Sequence, residues 1–185
     1  MPKRDTSVSP MRVLGIAAAV YAVLQVGLAP QISVMGGTFN FMVAFALVIG
    51  PGLGAHRGVI VAFLCGLFYD LTSPVPVGLM ALILSISVFW LSSSALVNQR
   101  GLSVQTIRSL AIATVAINMI YGLILFFLGV ETSLFAALVG HGLGSTVLDV
   151  LAGLPLLSLG SSAEPHQGFT VGGGGMRFKK TRGLK

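Results

Sequence analysis

Apolar positions in this chain neither alternate nor fall on one helical face. They come in six runs, at about residues 13–30, 39–53, 59–69, 77–97, 104–128 and 134–159, separated by short polar or Gly/Pro-rich breaks. Runs of this kind predict helices that are apolar all round, and such helices belong either in a deep core or in a lipid bilayer. The second and third runs are shorter than the roughly 20 residues that cross about 30 Å of hydrocarbon. A re-entrant hairpin with its tip at residues 51–58 would strand His56 and Arg57 in the membrane, so two spans joined by a cytoplasmic turn at Gly50-Pro51-Gly52-Leu53-Gly54 fit better. The first run has the outline of a signal peptide. However, Gln31-Ile32-Ser33-Val34-Met35 offers no small-residue cleavage site and further spans follow, so a retained helix is expected.

Composition decides between core and bilayer. The chain has 185 residues, 55% of them hydrophobic and only 9% charged, with a mean hydropathy of +0.94; a soluble domain carries about a quarter charged residues. Cys65 stands alone in an apolar run, reads as a small buried hydrophobe, and excludes an internal disulfide. The net charge of +6 would suggest nucleic acid in a soluble protein; here it reports topology, and no nucleic-acid partner is expected.

Six spans with both ends in the cytoplasm place every Lys and Arg on one side. Lys3, Arg4 and Arg12 precede the first span, Arg57 lies between the second and third, Arg100 and Arg108 stand at the fourth-to-fifth turn, and Arg177, Lys179, Lys180, Arg182 and Lys185 close the tail. The outer loops carry only Asp70 and Glu131, which satisfies the positive-inside rule. The expected fold is an all-α integral membrane protein with six transmembrane helices in one bundle. The expected organisation is a cytoplasmic segment over residues 1–12, the transmembrane domain over 13–160, and a flexible basic tail over 161–185 that includes Gly172-Gly173-Gly174-Gly175. That tail can serve as a topology determinant or meet anionic lipid.

Four polar features interrupt the apolar pattern. Asp70 should sit at the end of the third helix, where water or a buried partner stabilises it, and Pro74 and Pro76 should lead the chain into the fourth helix near Gly78. That turn is a candidate contact surface. Asp149 falls inside the sixth span, two turns after His141, on a helix thinned by Gly140, Gly144 and Gly153. It reads either as part of a proton or ligand relay or, preferably, as a helix contact bonded to Asn118 or Tyr121, with Gly140-x-x-x-Gly144 allowing close approach. No second buried carboxylate is expected to accompany it. Asn118, in mid-span, reads as interhelical glue. The serines of the fourth span either bond back to their own helix or line a groove, and Trp90 is either core or an interfacial anchor.

No metal-binding His-Glu-x-x-His or Cys pair, Gly-x-Ser-x-Gly elbow or phosphate loop is present. Neither an enzyme nor a cofactor is expected.

The run from His56 to Leu82 resembles the signature of the bacterial rod shape-determining MreD family: an Arg-Gly turn, Gly-x-x-x-Asp, a small polar loop, and a Gly-x-x-Ala-Leu helix entry. Gly58, Gly66, Asp70, Gly78, Ala81 and Leu82 match it. Length, span count and Leu24-Gln25 agree with the family. Phe39-Asn40-Phe41, where the family commonly has Pro-Asp, and Asp149, where it often has Asn, depart from it. The resemblance implies a non-catalytic inner-membrane scaffold of the cell-elongation machinery that partners MreC and, indirectly, MreB, RodA and the elongation transpeptidase in peptidoglycan synthesis. Partner contact would then fall on Gly66, Asp70, Pro74, Pro76 and Gly78 and on small-residue helix faces, with homo-oligomers possible. The chain is also similar in size and span count to the substrate-binding component of energy-coupling-factor vitamin transporters, with Ala18-x-x-x-Ala22 as a small-residue face.

Overall fold

The computed structural model describes residues 10–34, 37–74, 76–93, 104–130 and 133–161. The expected basic tail, Lys3, Arg4, Arg100 and Glu131 lie outside them. Helix α1 (Pro10–Gly27) runs into a 3-10 turn (Ala29–Gln31) and a small antiparallel pair, β1 (Ser33–Val34) and β2 (Gly37–Thr38). Then come α2 (Phe41–Ile49), a 3-10 turn (Pro51–Leu53), α3 (Ala55–Thr72), α4 (Leu79–Ser93) and α5 (Val104–Phe127). The last helical stretch begins as α6 (Leu134–Ala136), widens into a π-helix (Ala137–Gly144), and continues as α7 (Ser145–Ser161).

Among the described residues, three helical stretches are long and apolar enough to cross a membrane: Arg12–Gln31, Ala55–Thr72 and Val104–Phe127. Phe41–Leu53, Leu79–Ser93 and Gly142–Ser158 are apolar but shorter. The shortest is the most enclosed. Every residue of α2 from Phe41 to Leu47 is buried, with α1, α3, α4, α5 and α7 all packed against it. An all-apolar helix has no face to offer water, and this one has none exposed.

Several boundaries differ from the sequence expectation. α3 starts at Ala55, so His56 and Arg57 occupy its exposed first turn, and it runs past Asp70 to Thr72. A carboxylate stops a helix only if its side chain competes for local backbone; this one reaches across to another helix. The short strand pair was not expected. α5 ends as a Schellman cap: Val130 N–H donates to the Leu125 carbonyl and Gly129 N–H to that of Phe126, each at 3.0 Å, with Gly129 at φ +71°. The serines of α4 bond back to their own helix, Ser85 to the Ala81 carbonyl and Ser92 to that of Val88. Trp90 faces outward, 70% exposed.

Candidate functional site

Among the described residues, two carboxylates, Asp70 and Asp149, lie inside the bundle, each about 1% exposed. Asp70 is thus the second buried carboxylate that the sequence did not lead one to expect, and its burial follows from the spacing on α3. Gly58, Ala62, Gly66 and Asp70 recur every four residues, so they share one face, and all four are buried. A Cβ on Gly66 would collide with the backbone of Ala81 and Met80, and one on Gly58 with the Gly50 carbonyl. The small stripe therefore lets α4 lie directly against α3, close enough for the Asp70 side chain to reach its N-terminus.

The first N–H groups of any helix lack partners within it. At α4 the carboxylate of Asp70 supplies them. Oδ2 accepts from Gly78 N–H at 2.9 Å and Ala81 N–H at 3.2 Å, and Oδ1 from Met80 N–H at 3.2 Å. Leu82 N–H bonds the Gly78 carbonyl, which makes Gly78 the N-cap, at φ +99°, where a side chain is strained. Charged acceptors and the positive helix end reinforce one another in such an arrangement. Pro74 and Pro76 lie in the exposed turn between the two helices, beside Leu71 and Val77, which are 67% and 63% exposed.

Asp149 on α7 serves α2 in a similar way. Oδ1 accepts the Asn40 backbone N–H at 2.6 Å, and Oδ2 accepts from the Asn118 side-chain amide on α5 at 2.9 Å. Asn40 is the N-cap of α2: its own Oδ1 accepts Val43 N–H at 3.3 Å, while Gln25 Oε1 from α1 takes Met42 N–H at 3.4 Å. The Asn118 amide also reaches Thr146 Oγ1 at 3.3 Å, and the Tyr21 hydroxyl of α1 donates to the Ala152 carbonyl of α7. α1, α2, α5 and α7 thus meet in one polar knot.

Of the two partners the sequence offered for Asp149, the structure places Asn118 there. Tyr121 meets Tyr69 edge to face instead, ring centres 6.0 Å apart. The small-residue expectation for the last helix changes form. Gly140, His141 and Gly144 all lie in the π-helix, where backbone bonds span five residues, so a four-residue spacing no longer marks one face. Close approach to α5 falls instead at Gly142, where a Cβ would stand 3.3 Å from Met119, while Gly144 is buried. Gly153 faces Leu110 and Val48.

Asn40, Gln25 and Tyr21 are the site residues that sequence reasoning missed. An Asn directly before an apolar run is an N-cap signal and could have been used; the other two required the packing. Among the described residues, no group of three or more His, Cys, Asp and Glu side chains comes together. What the site does chemically is tie helices: Asp70 takes three N–H groups at the start of α4 and Asp149 takes that of the α2 N-cap, donors that would otherwise go unmet in an apolar interior. No family model matches the chain, and neither does any curated protein or solved structure.

Proposed function

We propose that the chain is a non-catalytic, multi-pass scaffold of the bacterial inner membrane, of the MreD type. It serves rod shape and lateral peptidoglycan synthesis by binding MreC and, through it, MreB, RodA and the elongation transpeptidase. The observation that carries this reading is that the residues of the resemblance form one mechanical unit. Gly66 brings α4 close, Asp70 caps it through Gly78, Met80 and Ala81, and Gly78 supplies the backbone turn. The motif is therefore a device for fixing one turn rigidly, which is what a docking surface needs.

With its carboxylate committed inside the bundle, Asp70 positions the turn, and the outward Leu71, Pro74, Pro76 and Val77 offer the contact. The six-span topology with cytoplasmic ends extends from the three long helices, with Phe41–Leu53, α4 and α7, about 20, 22 and 25 Å long at 1.5 Å per residue, as further spans. Arg12, Arg57 and Arg108 stand in the opening turns of α1, α3 and α5, as positive-inside orientation requires.

The test keeps the Asp70 cap and changes only the exposed turn. Leu71→Asp combined with Val77→Asp should leave the protein folded in detergent and lower MreC recovery from native membranes by about tenfold, the scale of a lost interface anchor. Full recovery of MreC, or none with the unaltered chain, would overturn the proposal.

A further inference from the structure

The two buried carboxylates differ in the kind of donor they meet. Every donor to Asp70 is a backbone N–H at the start of α4, and a backbone N–H cannot become an acceptor. At Asp149 only Oδ1 meets backbone, the Asn40 N–H, while Oδ2 meets the side-chain amide of Asn118. An amide carries two N–H donors on one side and a carbonyl oxygen on the other, so a half-turn exchanges donor for acceptor in the same place. The next group along reverses as well. Thr146 Oγ1 accepts from that amide and donates to the Gly142 carbonyl, and its hydroxyl can swing to donate to the amide oxygen instead.

Of the elements packed against α7, α2 and β2 carry no titratable side chain. α1 brings Tyr21, bonded to the Ala152 carbonyl, and Arg12, exposed at its start. α5 brings Tyr121, set against Tyr69, and Arg108, exposed near its start. His141 lies in the π-helix, two turns before Asp149. Among the described side chains no cation stands against Asp149, and a buried anion without one is costly; a proton removes that charge.

We propose that Asp149 is a proton-binding site. Oδ2 takes up a proton from water, the Asn118 amide turns its oxygen to accept the new O–H, and the Thr146 hydroxyl follows. Oδ1 keeps the Asn40 N–H, so the helices stay in place. The protonated site has the hydrogen-bond pattern of an asparagine at the same position; Asp70, fixed among backbone donors, has no second pattern. The inference rests on the bonds of the knot and not on the scaffold role, and its failure leaves the contact at Leu71 to Val77 untouched.

The test uses the full chain purified in maltoside detergent, with infrared spectra recorded from alkaline to acidic pH. On acidification, with its helical amide band unchanged, the unaltered chain should gain a carboxylic acid C=O band that Asp149→Asn lacks. Asp149→Asn should also take up about one proton fewer per chain over the same range. Asn118→Leu should move the band to higher wavenumber, because the acid O–H then lacks its acceptor. Asn118→Val replaces Asn118→Leu if the latter does not elute as a monodisperse species. An Asp149 band absent at every pH at which the bundle stays folded, or present at every one, would overturn the proposal. So would a band that the Asn118 variant leaves unmoved, which would assign the proton to another acceptor.

Discussion

Asp70 and Asp149 end in the same chemical situation by opposite routes. Each is buried, and each places at least one oxygen at the N-terminus of another helix. Asp70, however, caps a helix 8 to 11 residues further along the chain, whereas Asp149 reaches back 109 residues. At Asp70 all three donors are backbone N–H groups of a single helix; at Asp149 one is backbone and the other is the Asn118 side chain. The first is a local clamp that fixes one turn, and the second is a knot that gathers four helices. In an apolar interior a carboxylate is retained where it meets donors that nothing else supplies.

Gly66 tests the clamp most severely. A larger side chain there has only the α4 backbone to move into, so Gly66→Leu should part α3 from α4 and remove the Asp70 bonds with them. It should fail to elute as a monodisperse species in detergent, while Gly15→Leu, at a position with nothing within 4 Å, elutes normally. Normal elution of both would mean that the clamp does not depend on close approach.

Removing each carboxylate separates the clamp from the knot. An unmet buried donor costs about 1–3 kcal/mol, so Asp70→Ala, with three donors orphaned, should lose about 4 kcal/mol and Asp149→Ala about 2 kcal/mol. Unfolding by sodium dodecyl sulfate, followed through Trp90 fluorescence, measures both. Hydrogen exchange should quicken at residues 78–81 in the first variant and at residues 40–43 in the second. Equal losses, or exchange spread evenly over the bundle, would erase the distinction.

The smallest effects discriminate most finely. Asn retains one carbonyl oxygen and turns the other position into a donor. In Asp149→Asn that oxygen still serves the Asn40 N–H, and the Asn118 amide can reverse to accept, so the loss should stay below about 1 kcal/mol. In Asp70→Asn one oxygen faces three N–H groups, and the same titration should show a loss of about 2 kcal/mol. A larger loss at 149 than at 70 would mean that charge, not acceptor count, holds the knot together.

Much of the frame was legible because apolar runs need no context. The runs at 13–30, 104–128 and 134–159 overlay α1, α5 and the last helical stretch closely. Asp70, Gly66 and Gly78 were visible as exceptions to the pattern, and so was Asp149 with Asn118. What could not be read was direction. Asp70 looked like a helix end because a carboxylate in lipid is costly, yet the costs are met across the bundle and α3 continues to Thr72. The complete enclosure of α2 was hidden because a uniformly apolar run has no face to point with. The π-helix was hidden because Gly140 and Gly144 fit an ordinary helical spacing as they stand.

The distance between Asn40 and Asp149 along the chain also sets a timetable. At roughly 5–20 residues per second, a ribosome that has passed Asn40 needs on the order of 5–20 s to deliver the carboxylate 109 residues later. Throughout that interval the Asn40 N–H at the start of α2 lacks the acceptor it has in the finished protein, whereas the Met42 and Val43 N–H groups already have Gln25 and Asn40. Water or another polar group must therefore meet the Asn40 N–H until α7 emerges. The clamp between α3 and α4 closes within about a second of synthesis. The rigid turn is built early, and the centre of the bundle sets last.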